Sequence, residues 1–208
     1  MKDTFLGIPF YRFYYDKEKL KEVEHHIKNL KYRRNNGDAN YIWDGVKEDG
    51  GCHLHKLDCF KDLFLWFQEC LDEVASDMKV KSKLIIHSSW ANKNKPGDYF
   101  HDHIHRNAFI SSNFYVTGHS KDKTIWYHPN PYFHASNIYP CGLESENYFL
   151  IHEEETEPGK YVIFPPTIPH RAQKNTANYD RITIACDVFP TGIISQGYTS
   201  HLNLNVIN

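Results

Sequence analysis

The hydrophobic positions of the first 80 residues recur with the period of amphipathic helices. The first helix is predicted from Asp16, a residue suited to the N-cap, to about Arg34, and Gly37 follows as a stop signal. Its apolar positions are Leu20, Val23, Ile27 and Leu30. The second helix is predicted from about Asp58 to Lys79, with a wide apolar stripe. Both helices are expected to cover a sheet, and neither carries predicted chemistry.

After residue 82 the pattern changes to short apolar and aromatic runs separated by Pro, Gly and Asn. Such runs are typical of β-strands. The predicted strands are 83–92, 103–118, 123–129, 147–152, 160–165 and 181–190. Pro-Gly pairs at 96–97 and 158–159 predict turns. Strands at this spacing favour a sandwich or jelly roll over a parallel α/β sheet, so we expect a mainly β protein with an N-terminal α part.

Composition narrows the class of protein further. The chain has 208 residues, enough for one domain, and its net charge of −2 argues against a general nucleic-acid binder. No apolar run is long enough to cross a bilayer, and residues 1–20 lack the pattern of a signal peptide. The five cysteines include no C-x-x-C pair, which favours free thiols. We expect a cytoplasmic protein without a membrane partner. The sequence does not decide between a monomer and a homodimer.

Three histidines at alternate positions, His101, His103 and His105, form the most unusual pattern in the chain. On a strand, residues two apart project from the same face, so these three rings would lie together while Asp102 faces the other way. Two imidazoles placed in this way can share a metal ion but need a third ligand from elsewhere. Three surface histidines near a turn are the alternative interpretation.

A fourth histidine, His170, follows a Pro-Gly turn, a strand and the proline-rich segment 165–169. Proline loses little backbone entropy on ordering, so this segment can hold one side chain in a fixed place. His152, Glu153 and Glu154 form an H-x-E sequence upstream of the turn, and we expect an exposed acidic run there.

The order of these motifs resembles the 2-oxoglutarate/Fe(II)-dependent oxygenase family. The matching stretches are Trp90-Ala91-Asn92, Gly97, His103-Ile104-His105, Ser111 to Tyr115, Gly159 to Phe164-Pro165, His170 and Arg181-Ile182-Thr183. The last position of the pattern is Asp187 in this chain, where the family pattern has Asn. The resemblance covers roughly half of the chain.

The resemblance implies a double-stranded β-helix, cupin-like, with its metal inside the barrel mouth. Residues 1–208 would then form a single domain, with a helical flank and edge strands over 1–81 and the β-helix core over 82–208. It also implies a non-haem Fe(II) dioxygenase that hydroxylates a second substrate while 2-oxoglutarate is decarboxylated to succinate. The small-molecule co-substrate is 2-oxoglutarate, and the sequence does not identify the second substrate.

Site residues follow from the same resemblance. His103, His105 and His170 are the predicted metal ligands, although the wider class of such oxygenases has a carboxylate where this chain has His105. Arg181 would hold the far carboxylate of 2-oxoglutarate, because a guanidinium binds a carboxylate bidentately. The residues that would contact or close over the co-substrate are Thr183 on the face of Arg181, Asn113 and Tyr115 on one strand face, and Asn92 with Trp90.

Two other functions are compatible with the residues. An H-x-H pair with a later histidine also suits a cupin-like metalloenzyme that does not use 2-oxoglutarate, and three histidines also hold zinc, nickel or copper. The remaining candidate is a non-catalytic jelly-roll binding module, with histidines and aromatic rings as contacts.

Overall fold

A computed structural model of the protein describes residues 2–5, 8–35, 40–45, 52–127, 151–194 and 202–204. Its helices are α1 (Lys17–Lys28) and α2 (Lys61–Asp77). Its strands are β1 (Lys2–Phe5), β2 (Ile8–Tyr14), β3 (Tyr32–Arg34), β4 (Tyr41–Trp43), β5 (Lys83–Asn94), β6 (Ile110–Thr117), β7 (Lys123–Tyr127), β8 (Ile151–Glu155), β9 (Lys160–Phe164), β10 (His170–Ala172), β11 (Arg181–Ile194) and β12 (Leu202–Leu204).

These strands form two antiparallel sheets within the described residues. The larger sheet has the order β1-β2-β9-β6-β11-β5-β4-β3, with β12 added to β11. The smaller sheet has the order β10-β7-β8. A cluster that includes Tyr115, Phe164 and Trp126 packs between the two sheets. Two facing antiparallel sheets with strands from distant parts of the chain form the predicted jelly roll.

Side chains along β11 point alternately to the hydrophobic core under the helices and to the space between the two sheets. Ile182, Ile184, Cys186 and Val188 belong to the large hydrophobic core, which the helices cover from outside. The residues between them face the other way, because successive strand residues project from opposite faces. The chemistry-bearing side chains therefore lie on the inner face, away from α1 and α2.

The helices differ from the prediction mainly at one end. Asp16 is the N-cap of α1, and its carboxylate accepts hydrogen bonds from the backbone N–H groups of Glu18 and Lys19. The prediction that α1 runs to about Arg34 is wrong, because it ends at Lys28 and the following residues form β3, which pairs with β4. Gly37, the predicted stop, lies outside the described residues. The second helix is confirmed within three residues at each end.

The strand prediction 103–118 is wrong over its first half. The strand begins at Ile110, and residues 101–109 contain only an isolated bridge between His103 and His170. The segment facing them contains Pro165, Pro166 and Pro169, which have no N–H to donate to a ladder, so regular pairing cannot continue. Of the predicted strand 147–152, residues 147–150 lie outside the described residues.

The expectation of an exposed acidic run at residues 152–154 is wrong for Glu154. This side chain is 5% exposed and accepts hydrogen bonds from Arg12 and Lys160. Glu153, its neighbour on the opposite face of β8, is exposed as expected. The alternation of a strand in a two-layer fold thus buries one of two adjacent carboxylates.

Among the described helices, none combines the length and the apolar character that a membrane crossing requires.

Candidate metal centre

The three predicted histidines meet although two of them are not on a strand. Residues 103–105 run alongside the proline-rich segment and are fixed by backbone hydrogen bonds. His103 and His170 exchange two such bonds, of 3.0 and 2.9 Å, and His105 N–H donates to the carbonyl of Pro166 over 2.9 Å. The two sections of chain therefore position each other, and each brings its imidazoles to the same point.

One ring nitrogen from each of His103, His105 and His170 lies within 4.8 Å of the others. The centroids of the His103 and His170 rings are 4.2 Å apart, and the His105 and His170 rings are stacked at 5.2 Å. Burial and the neighbouring His103 and His105 lower the pKa of His170 well below its usual value. His170 is thus neutral near pH 7, which is the form that binds a metal.

Each of the three rings has its Nδ1 atom engaged by a fixed partner. Nδ1 of His103 lies 2.9 Å from the carbonyl oxygen of His101, and Nδ1 of His170 lies 2.9 Å from that of Ile168. Carbonyl oxygens only accept, so both rings carry their proton on Nδ1. In His103 and His170 the ring lone pair is therefore on Nε2. Nδ1 partners of this kind are typical of metal-binding histidines.

His105 differs from the other two because its Nδ1 partner is a carboxylate. Oδ1 of Asp187 lies 2.7 Å away and also accepts a hydrogen bond of 2.9 Å from the hydroxyl of Ser111. Asp187 is the position where the chain departs from the family pattern. His101, the first histidine of the motif, is exposed and contributes its backbone carbonyl instead of its ring.

The three histidines lie in the wall of a cavity of about 320 Å³ between the two sheets. Every site residue predicted from the sequence lines the same cavity. These residues are His103, His105, His170, Arg181, Thr183, Asn113, Tyr115, Asn92 and Trp90. The cavity also contacts Ile104, Arg106 and Asn107, which are exposed, so it opens along the 104–107 loop.

Arg181 is buried in the cavity wall with most of its hydrogen-bonding capacity unused. It is 1% exposed, and its Nη2 donates 2.7 Å to the carbonyl oxygen of Gln173. Its Nε and Nη1 have no hydrogen-bond partner in the described part of the chain. Burial lowers the pKa of Arg181, and Asp122 opposes this effect. A buried guanidinium with two unpaired nitrogens is matched to an anionic ligand, since leaving such donors unsatisfied is costly.

The residues near Arg181 come from adjacent strands in register. Thr183 pairs with Tyr115 on one side and with Asn92 on the other. The hydroxyl of Tyr115 donates to Thr124 on the smaller sheet over 2.8 Å, and burial raises the pKa of this tyrosine. Trp90 lies flat against the His105 ring, with centroids 5.8 Å apart. These contacts connect the part of the cavity lined by the three histidines to the part lined by Arg181.

Sequence reasoning missed two buried asparagines of the cavity wall. Asn94 pairs with Arg181, and Asn40 comes just before β4 and is fully buried. Nδ2 of Asn94 and both side-chain polar atoms of Asn40 have no hydrogen-bond partner among the described residues. The period of two from Trp90 and Asn92 could have identified Asn94. Nothing in the sequence connects Asn40 to the motifs.

Aromatic rings that were not predicted as site residues complete the wall. Phe100 lies against His103, and Trp126 is stacked on His170 with centroids 5.9 Å apart. Phe164 meets the same His170 ring edge-on at 5.0 Å. Trp126 and Phe164 are buried, so they keep the inner side of the histidine cluster apolar.

The fold and the site together define a jelly-roll protein with a three-histidine centre inside its barrel. Residues 88–187, just under half of the chain, match the family model described as "Putative 2OG-Fe(II) oxygenase". This match confirms the resemblance to 2OG-Fe(II) oxygenases seen in the sequence. No curated protein matches the sequence.

Solved structures of low sequence identity share the fold. A prolyl-4-hydroxylase from Pseudomonas putida is 11% identical, with a TM-score of 0.56 over 88% of this chain and 93% of the other. HygX from Streptomyces hygroscopicus, with nickel and 2-oxoglutarate bound, is 10% identical, with a TM-score of 0.58 over 88% and 83%. The viral collagen prolyl hydroxylase from Paramecium Bursaria Chlorella virus-1 is 10% identical, with a TM-score of 0.54 over 86% and 94%. The predicted fold class is confirmed.

Proposed function

We propose that the protein is a non-haem Fe(II) dioxygenase that uses 2-oxoglutarate and hydroxylates a second substrate. One observation carries the proposal. Three imidazoles, each with its Nδ1 atom held by a fixed partner, converge in the wall of a cavity. The same cavity holds a buried arginine with two nitrogens that have no hydrogen-bond partner among the described residues. A 2-oxo dicarboxylate has a metal-chelating end and a carboxylate end, so it matches both features. The family match supports the same chemistry.

His103, His105 and His170 would hold the metal through Nε2. Their fit rests on the engaged Nδ1 atoms, because each partner orients its ring before the ion arrives. HygX, which shares the fold, has nickel and 2-oxoglutarate bound. When bound, Fe(II) supplies the activation of oxygen that is coupled to decarboxylation of the keto acid. The protein contributes the orientation of the ligands and the exclusion of water.

Arg181 would bind the far carboxylate of 2-oxoglutarate through Nε and Nη1. Thr183 and Tyr115 lie beside it, and Asn92 and Asn113 line the same space. The Gln173 carbonyl fixes the guanidinium through Nη2, so its free edge is oriented in advance. Binding energy from this remote carboxylate holds the keto-acid end in position at the histidines.

The second substrate would reach the histidines from the 104–107 loop, where the cavity is open. Phe100 and Trp90 flank the histidines, and Trp126 and Phe164 are buried behind them. Apolar rings exclude water, which protects the reaction from unproductive side reactions.

The test is conversion of 2-oxoglutarate to succinate by the purified protein with Fe(II), ascorbate and oxygen. We expect succinate and carbon dioxide in equal amounts, slowly even without the second substrate. His103→Ala and His170→Ala should reduce the rate at least 100-fold, because each removes a ligand. His25→Ala, an exposed histidine of α1, is the matched control and should keep the wild-type rate.

Binding separates the competing functions. Calorimetry on the Ni(II)-loaded protein should show 2-oxoglutarate binding that Arg181→Met weakens at least tenfold, because two charge-assisted hydrogen bonds are lost. A protein that binds the metal but no 2-oxoglutarate would be a cupin-like metalloenzyme of another kind. A protein that binds neither would be a non-catalytic module. Either result would refute the proposed function.

A further inference from the structure

The carboxylate of Asp187 contacts Nδ1 of His105, the ring nitrogen that would face away from the metal. Its Oδ1 is 2.7 Å from Nδ1 of His105, and its side chain is 14% exposed. The hydroxyl of Ser111 donates to the same oxygen over 2.9 Å. The pair is therefore close, mostly shielded from water and supported by a second hydrogen bond.

The fold fixes this carboxylate in the inner row of β11. Asp187 is on the same face as Arg181 and Thr183 and stands opposite Ser111 on β6. Its pairing with β5 is irregular, because the register shifts between Asp187 and Val188. Bulges of this kind commonly lie beside active sites and change the direction of a side chain. The position of Asp187 is thus set by β11 and its two neighbouring strands, β5 and β6.

The charges of the site explain what this carboxylate can do. The three proposed ligands are neutral imidazoles, whereas the common facial triad has two histidines and one carboxylate. In this chain His105 stands in the carboxylate's place, and Asp187 contacts His105. The site therefore still contains a negative charge. The charge is on Asp187, which contacts the proposed ligand His105 instead of the metal. A carboxylate bonded to Nδ1 makes the imidazole more basic and fixes its orientation.

We propose that Asp187 is a positioning residue that supplies, through His105, the negative charge that the ligand set lacks, and so strengthens metal binding. This inference rests on the proposed metal site of His103, His105 and His170. It concerns a position where the family pattern has Asn, so it distinguishes this chain from the pattern. The asparagine amide can accept the same hydrogen bond but has no charge.

The test is the dissociation constant for Co(II), measured by titration of the metal-free protein and followed by its visible absorption. Asp187→Asn keeps the hydrogen-bond acceptor and removes the charge, and we expect it to weaken Co(II) binding 10- to 100-fold, with a shifted absorption band. Asp102→Asn removes a charge from an exposed carboxylate on the same loop as the histidines, and its dissociation constant should stay within threefold of the wild type.

The outcomes separate this inference from the proposed function. Wild-type protein that does not bind Co(II) would refute the metal site itself. Wild-type binding with an unchanged constant in Asp187→Asn would refute only the charge role, and the metal site would stand. Equal weakening in Asp187→Asn and Asp102→Asn would also refute it, because the effect would then be general to negative charge near the site. Near-ultraviolet circular dichroism of the metal-free variants checks that they are folded.

Discussion

At the triad, each imidazole is oriented by a partner on its Nδ1 atom: two backbone carbonyls and the carboxylate of Asp187. A carbonyl can be supplied by any residue type, so its position depends on the backbone alone. A carboxylate has to be supplied by a particular side chain, here from β11, more than eighty positions after His105 in the sequence. A single substitution at Asp187 can therefore change the orientation of His105. The orientations of His103 and His170 do not depend on a partner side chain in this way.

Glu154 is a buried residue for which the structure predicts a marked effect of pH on stability. Burial raises its pKa, but hydrogen bonds from His152, Arg12 and Lys160 outweigh burial and lower the pKa to about 2. A carboxyl whose pKa is depressed in the folded state stabilises the fold above its unfolded pKa, and this contribution is lost as pH falls. The relevant window lies between about pH 5 and pH 2.

We expect Glu154→Gln to lower the free energy of unfolding by about 3 kcal/mol at pH 7, since each pKa unit corresponds to about 1.4 kcal/mol. The difference from the wild type should shrink as pH falls from 5 and vanish near 2. Urea unfolding at several pH values measures it. Glu153→Gln, on the exposed side of β8, is the matched control. A Glu154→Gln difference that stays constant down to pH 2 would contradict the predicted linkage.

At the scale of elements, the alternation of β6, β9 and β11 decides which residues face the core and which face the cavity. Helix α2 covers the outer side, where Phe67 stacks on Tyr161 of β9 with centroids 4.1 Å apart and contacts Phe114 of β6. Phe67 is fully buried, whereas Leu65, two positions earlier on the same helix, is 55% exposed. The helix therefore holds the outer face of the strands that carry the site.

We expect Phe67→Ala to cost about 3–5 kcal/mol of unfolding free energy, because it leaves a cavity between α2 and the sheet. Leu65→Ala, the control on the same helix, should cost about 0.5 kcal/mol. Chemical denaturation of both variants measures the difference. Similar values for the two substitutions would mean that α2 does not pack on the sheet as described.

The elements that sequence patterns predict well are those governed by local rules. The period of two placed Arg181 and Thr183 on one face of β11 correctly, because alternation is a property of any strand. The end of α1 was not predictable in this way, since Tyr32 pairs with Trp43 in the sheet and its hydroxyl donates to the helix carbonyl of Ile27. The backbone path of residues 101–109 depends on prolines about sixty positions away.

At the scale of the whole molecule, the N-terminal flank is part of the same sheet as the site. Strand β2 pairs with β9, β4 pairs with β5, and Asn40 lines the cavity. Residues 88–187, which carry the family match, therefore depend on strands and a helix outside the match. The single-domain organisation predicted for residues 1–208 remains a prediction, and it can be tested directly.

We expect the full chain to unfold in one cooperative transition and the fragment 82–208 to lack one. The fragment loses α2 and the strands β2 and β4, so the apolar outer face of its sheet would be exposed. Near-ultraviolet circular dichroism and binding of a hydrophobic dye to the fragment measure the difference. A fragment with sharp tertiary signals and a cooperative thermal transition would show that residues 82–208 fold alone.

The pairing of β2 with β9 also bears on how the protein is made. Tyr11 of β2 lies opposite Ile163, so β2 leaves the ribosome well before its partner strand has been made. Synthesis adds on the order of 5–20 residues each second, which leaves this strand without its partner for many seconds. Contacts between such distant positions slow folding. The nascent chain therefore carries an open strand edge until β9 has been made, and chaperones that shield such edges would affect its yield.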